Sequence, residues 1–423
     1  MLTVPRGAAL YVGALIGPGL LLIPALAAQL AGPASIIAWI ALLMLSAPIA
    51  VVFCALAVRH PVSGGVAAYA REAFGADASA VTGTWFVAAV VLGGPAVALI
   101  GGYYVAELTG SGEATAVAVA VAIYAVVLVT NAFGLSVSSA MQMVLSTLLV
   151  ATVVVAIVVA VPGRLGEHWT PFAPHGWWAI GTATNVLIWL VIGWEAMAQL
   201  AGQFGDPGRD VPRAMAIAFG VITVLYVGLG VATIVAPGPA ESRVPLADLI
   251  EVGLGNAGRG ATAVLAVALT LGTLNVYTGS VCALAGALAA EGALPTWVVG
   301  PVAPGDERVP RRPLLLLAVT GAILLLALAA GALTTTGLVR ATSACFIAVY
   351  VVALSAAARI LVGAVRIAAV VAAGLATVVA LFSASYLLVP LVTAATCVVL
   401  RRRDAARPRS SDASGREFRG PAA

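Results

Sequence analysis

The chain contains no lysine. Its 423 residues are only 9% charged and 62% hydrophobic, and all 21 basic side chains are arginine. A soluble domain carries about 25% charged residues. The deficit excludes a soluble globular class and indicates a polytopic membrane protein. Other scarcities exclude chemistries. The three histidines, His60, His168 and His175, sit in loops at no metal-ligand spacing. There is no HExxH, no phosphate-binding loop and no nucleophile elbow, so no enzyme class is indicated. The four cysteines, Cys54, Cys282, Cys345 and Cys397, lie in apolar segments without CxxC spacing. They read as free core thiols, with neither disulfide nor metal site, and no cofactor is expected. The net charge of +4 is modest, and the arginines do not gather on a water-facing domain, which argues against nucleic acid as a partner. The N-terminus MLTVPRGAAL lacks a small-residue cleavage site after its apolar core and is not read as a removable signal peptide.

What is present is a series of long apolar runs. Twelve spans are expected, at 8–31, 34–58, 80–107, 113–131, 138–161, 178–200, 212–236, 258–286, 313–331, 337–357, 366–382 and 385–400. The last two share one apolar stretch, with Ser383, Ser385 and Tyr386 at the presumed turn; a single bent helix is the alternative. Arginine sets the orientation. With both termini in the cytoplasm, Arg6, Arg59, Arg71, Arg209, Arg213, Arg308, Arg311, Arg312, Arg359, Arg366 and the tail from Arg401 lie inside. Arg164, Arg243, Arg259 and Arg340 fall outside or near that face. The tail, 401–423, is rich in Arg, Ser and Gly, and is expected to be disordered against anionic lipid. Arginine in place of lysine, with abundant Ala and Val, suits a GC-rich bacterial genome, and thus a bacterial inner membrane.

Two spans carry features that a lipid-facing helix avoids. The first reads GALIGPGLLLIP, with Gly17-Pro18-Gly19 at mid-span. Proline cannot donate to the helix ladder and glycine loosens its neighbours, so a turn should unwind. Unpaired backbone in lipid costs several kcal/mol per group, and unwound backbone survives only where protein or a cavity satisfies it. A plain proline kink is the simpler reading of this span alone. The sixth span, NVLIWLVIGWEAMAQL, adds Gly193 and Glu195 at mid-span. An acid there costs roughly 2.5–3.5 kcal/mol on insertion scales and is a functional candidate by default. If the first ten spans form two halves of five, these interruptions occupy corresponding positions, the pattern of an inverted-repeat transporter site. The dipeptide Ile16-Gly17 recurs as Ile192-Gly193, and Ala28-Gln29-Leu30 as Ala198-Gln199-Leu200. A broken helix offers N–H groups on one side of the gap and carbonyls on the other. Two such breaks at midplane suit a zwitterion, and a free α-amino acid is the obvious one.

Four segments resemble the amino acid–polyamine–organocation (APC) transporters: IGPGLLLIPA in the first span, RHPVSGGVAAYAREAFG at 59–75, NAFGLSVSSAMQ at 131–142, and IGWEAMAQLAGQFGDPGRDVPRAM from the sixth span onward. The resemblance covers about 8–400, and within the family length and loop pattern are nearest to bacterial exporters of L-methionine and branched-chain amino acids. It implies an all-α, LeuT-like fold: a five-plus-five inverted repeat, 8–161 and 178–357, with spans 1 and 6 broken and accessory helices at 366–400. By position, Ile16, Gly17, Gly19 and Leu20 would hold the carboxylate, and Ile192, Gly193 and Trp194 the ammonium. Trp189 would lid the substrate, and Glu195 would serve gating and proton coupling. Pro18 departs from the family's small hydroxyl or Ala and removes one donor. Gln203 replaces a frequent Glu, which weakens any gating charge there.

Other readings stay beside these. Trp189 and Trp194, five apart, share a helix face only if the helix breaks between them; packing is the plain alternative. Asn275 and Tyr277 in the eighth span either face substrate or bond between helices, which averages ~0.6 kcal/mol. Arg209 and Asp210 in DPGRDVPRA read as inside anchoring before a helix begun at Pro212, or as an inner gate. Sodium coupling has no acidic cluster behind it, though a site of hydroxyls and carbonyls would leave no such mark; without lysine no ammonium can stand in for sodium as it does in some proton-coupled relatives, and proton coupling through Glu195 is the expectation. The expected function is secondary transport of neutral, apolar amino acids (methionine, leucine, isoleucine, valine), by export with proton antiport. An importer or obligate exchanger is the alternative within the class, and a membrane amino-acid sensor the alternative outside it.

Overall fold

The computed structural model describes residues 1–59, 65–135, 137–195, 200–236, 238–290, 292–299 and 311–406. Residues 60–64 of the 59–75 motif, Ala198, Gln199, Arg308 and the tail from 407 lie outside them. Among the described residues the chain is helical, with one isolated β-bridge and ten helical segments long and apolar enough to cross a bilayer.

The first span is α1 (Val4–Leu15) and α2 (Ile23–Ala31), joined through a 3-10 turn, Pro18–Leu21. Then come α3 (Ser35–Arg59), the short α4 (Gly65–Phe74), α5 (Ala76–Leu108), α6 (Glu113–Ala132) and α7 (Ser139–Ala160). The sixth span opens with α8 (Trp178–Leu187) and a 3-10 turn, Ile188–Val191. It is followed by α9 (Pro207–Val235), α10 (Pro245–Ala290), α11 (Arg311–Ala329), α12 (Thr335–Ile360), α13 (Ala364–Leu381) and α14 (Leu388–Ala406). Every expected span contains helix.

Two boundaries move. α9 begins at Pro207, not Pro212, because the Asp206 carboxylate accepts the Arg209 amide at 3.3 Å and a proline in the first turn leaves no donor unpaired. α14 runs on through Ala406, so Arg401, Arg402 and Arg403 are helical rather than part of a loose tail. Arg401 Nε donates to Asp77 Oδ1 at 2.8 Å. Between α13 and α14 the chain turns at 382–387, where Ala384 has a φ of 49°.

The order of elements in the first five spans recurs in the next five. Each set opens on a broken span and continues with a long helix. A short helix comes next: α4 in the first set and residues 245–254 in the second, where Gly255 (φ 59°) divides α10. Gly75 (φ 91°) ends α4 in the same way. Both glycines hold a backbone conformation that a side chain disfavours.

Lipid tails are as apolar as leucine, so close packing holds such a bundle together. The central post is α5, packed against α6, α10 and α12. A Cβ at Gly102 would lie 2.1 Å from the Ala116 carbonyl oxygen, so only glycine lets α5 and α6 approach this closely. The halves of the first span separate: α1 packs on α9 and α2 on α8.

Candidate functional site

The first break follows from its residues. After Leu15 the backbone is extended at Ile16 (φ −91°, ψ 105°) and Gly17 (φ −131°, ψ −174°). Pro18 then starts the 3-10 turn, where its missing N–H costs nothing. In the sixth span the helix ends at Val191, Ile192 is extended (φ −71°, ψ 123°), and Gly193 takes φ 136°. The two breaks touch. A Cβ on Gly193 would stand 2.6 Å from the Ala14 carbonyl oxygen and 3.3 Å from the Leu15 amide nitrogen.

Breaks of this kind leave carbonyls without helical partners, and three tyrosines meet them. Tyr226 Oη lies 3.1 Å from the Leu15 carbonyl and 2.7 Å from that of Leu190, so one phenol ties the ends of both broken helices. Tyr104 donates to the Leu21 carbonyl at 2.9 Å. Tyr350 Oη is 3.2 Å from the Val191 carbonyl and 2.6 Å from Glu195 Oε2. The same carboxylate oxygen accepts the Gly193 amide at 3.0 Å. Glu195 therefore caps its own break, and Tyr350 tethers it to α12.

A cavity of about 190 Å3 opens where the breaks cross. Of the expected site residues, Ile16, Gly17, Gly19, Trp189, Ile192 and Tyr277 line it, while Leu20, Gly193, Trp194, Glu195 and Asn275 do not. The two tryptophans part at the break. The Trp189 indole spans the cavity: a Cβ on Gly19 would be 3.8 Å from its Cδ1, and one on Gly93 3.4 Å from its Cη2. Trp194 points the other way and donates to Ser46 Oγ at 2.8 Å. Asn275 is committed to the connection between α6 and α7. Its Nδ2 donates to Thr130 Oγ1 (2.9 Å) and the Leu135 carbonyl (3.1 Å), and its Oδ1 accepts the Val137 amide at 3.0 Å. The Leu20 amide donates to the Gly17 carbonyl at 3.1 Å.

Residues that sequence reasoning did not single out complete the wall: Gln142, Thr273, Thr342 and Phe346. Gln142 Oε1, Thr273 Oγ1 and Thr342 Oγ1 are buried and meet no partner among the described residues. Gln142 lay within a quoted motif, but nothing in the apolar spans marked the others. No lining residue carries a charge, and among the described residues no cluster of His, Cys, Asp or Glu could hold a metal ion.

Near the N-terminus, the Leu2 amide donates to the Gln203 carbonyl at 2.8 Å, and Leu2 forms the isolated bridge with Phe204. The buried Phe204 ring lies against Gly7, where a Cβ would come within 2.2 Å of its Cζ. At Gln203, then, the contact is backbone pairing beside an aromatic plug.

The family model for amino acid permeases matches residues 2–416. The chain belongs to the amino acid permease family. It is similar to the uncharacterized amino acid permease YecA of Bacillus subtilis, 31% identical over 84% of each chain. The L-methionine/branched-chain amino acid exporter YjeH of Escherichia coli is also 31% identical, over 65% of this chain and 66% of its own. The glutamate/serine transporter AimA of Bacillus subtilis is 27% identical, over 54% of this chain and 46% of its own. These relatives are permeases and transporters, and this permease is a multi-pass membrane protein.

Proposed function

We propose that this permease is a secondary transporter of neutral amino acids, with methionine, leucine, isoleucine and valine as expected cargo. In this reading it works by alternating access within a LeuT-like five-plus-five repeat, in a bacterial inner membrane with both termini cytoplasmic. The observation that carries it is the crossing of two unwound spans, Gly193 against Ala14 and Leu15, at a cavity without a lining charge.

A zwitterion brings its own charges and needs only dipoles to meet them. The carboxylate faces the amides of Gly17 and Gly19, at the positive end of the Pro18–Leu21 turn and α2. Pro18 has no amide proton, and Leu20's is used by Gly17. The ammonium faces carbonyls about Ile192. Trp189 closes over the cargo.

We read the net direction as export, with protons as the exchanged ion. Glu195 is the group that can couple them. Its carboxylate holds the Gly193 amide and the Tyr350 hydroxyl together. Protonation weakens both bonds and loosens the sixth-span break from α12. An importer or obligate exchanger would use the same site with different coupling; a sensor would bind without flux.

The test is efflux of labelled methionine or leucine from liposomes bearing the purified protein, with and without an imposed pH gradient. Efflux that quickens when the far side is acidic supports proton antiport. Efflux only against unlabelled amino acid outside means an obligate exchanger. Binding without flux means a sensor.

A further inference from the structure

One wall of the cavity carries a polar group that the transport cycle above does not use. Threonines inside helices commonly turn the hydroxyl back onto their own backbone. Thr82, Thr184, Thr233, Thr262 and Thr320 do so here, each donating to the carbonyl four residues earlier at 2.7–2.9 Å. Thr342, within α12, does not. It is fully buried, and its Oγ1 meets no partner among the described residues. It faces Gly93 of α5 and the edge of Trp189. A Cβ on Gly93 would lie 3.2 Å from Thr342 Cγ2, 3.5 Å from its Oγ1 and 3.4 Å from Trp189 Cη2. Three helices thus bring a hydroxyl, a missing side chain and an indole edge to one place on the cavity wall. Val97 and Phe346, which also line the cavity, are apolar and offer no hydrogen bond.

A buried hydroxyl left unpaired is costly, and a site that contains one discriminates against cargo that cannot pair with it. We infer, on the reading of neutral amino acid transport above but departing from its aliphatic cargo, that Thr342 is a specificity-determining residue that hydrogen-bonds the cargo side chain, so that the site prefers a small β-hydroxy amino acid, threonine foremost, over its aliphatic isostere valine. A threonine hydroxyl can donate to Thr342 or accept from it. Valine has the same shape but offers a methyl group and leaves Thr342 unpaired. Gly93 supplies the room: with a side chain there, the subsite would be filled.

The experiment compares threonine and valine in proteoliposomes as the ratio of their kcat/KM, in the wild type, Thr342→Val and Thr342→Ser. The wild type should favour threonine by about tenfold, the worth of one neutral hydrogen bond. Thr342→Val should bring the ratio to one or below, and Thr342→Ser should restore the preference. A wild-type ratio at or below one overturns the inference while leaving neutral amino acid transport intact. So does a Thr342→Val protein that slows both cargoes equally, because the hydroxyl would then serve the backbone common to both. Wild-type protein that moves no neutral amino acid overturns the transport reading, and this inference with it. If Thr342→Val does not fold, the wild-type ratio and Thr342→Ser still decide.

Discussion

In the first span the chain leaves the helix at Ile16 and Gly17 and re-enters through Pro18–Leu21, all buried but for the half-buried Gly17 and none with a polar side chain. In the sixth it leaves at Ile192 and Gly193, beside a carboxylate bonded to the break's own amide and to a tyrosine of another helix. The first break contains no acid, and its Leu15 and Leu21 carbonyls meet tyrosine hydroxyls. The second is held by a group whose hydrogen bonds depend on its charge. A carrier needs both kinds, a receptor that keeps its shape and a contact that can be released. On the proposed reading, the receptor lies in the first span and the release in the sixth.

The sharpest way to break this comparison is to substitute each break's glycine. Gly193→Ala forces a side chain to φ 136° and into the Ala14 carbonyl, 2.6 Å away. The left-handed conformation alone costs about 1–2 kcal/mol, and the clash adds to it. Transport should fall below detection while the protein still inserts. Gly17→Ala meets nothing within 4 Å of its new Cβ and should lose only a few-fold in cargo affinity. Equal losses in the two variants would mean that the breaks do not differ in how tightly they are packed.

Removing the charge at the second break comes next. Glu195→Gln keeps the size of the side chain but cannot be ionised. Flux at its optimum should drop by about tenfold, the worth of one transition-state contact, and its pH dependence should flatten. A variant that kept the full pH response would move proton coupling away from Glu195.

Tyr226→Phe then tests whether the breaks act as a unit. It unpairs the Leu15 or the Leu190 carbonyl, for about 1–3 kcal/mol, whereas Tyr104→Phe touches only the first break, at Leu21. Tyr226→Phe should lower thermal stability and raise KM more than Tyr104→Phe. The reverse order would make Tyr226 an ordinary packing residue.

Both breaks were legible in the sequence because proline, paired glycines and an acid are expensive in lipid and stand out against leucine and valine. Their supports were not. A tyrosine in an apolar span looks the same whether it packs or bonds a carbonyl 211 residues away, as Tyr226 does with Leu15. Thr342 resembles Thr320 on paper; only the fold shows which hydroxyl returns to its own helix. Asn275 shows the converse. It was visible as a polar residue at mid-span, but its partners lie in the last turn of α6 and in the connection after it, and no spacing rule reports that. The α9 boundary was missed because Pro212 looked like a first-turn proline, while Asp206-Pro207, five residues earlier, supplies the cap.

The smallest expected effect concerns Pro18. It removes one amide from a break that, on the proposed reading, serves a carboxylate, and with the Leu20 amide taken by Gly17 that receptor is left with Gly17 and Gly19. Pro18→Ala returns a donor while Gly17 and Gly19 keep the backbone loose. Cargo KM should fall by about threefold, less than a full hydrogen bond because some of the gain is spent on ordering a softer turn. An unchanged KM would place the carboxylate beyond reach of residue 18. A raised KM, with thermal stability increased, would show that the turn has rewound into helix and that proline was what kept the receptor open.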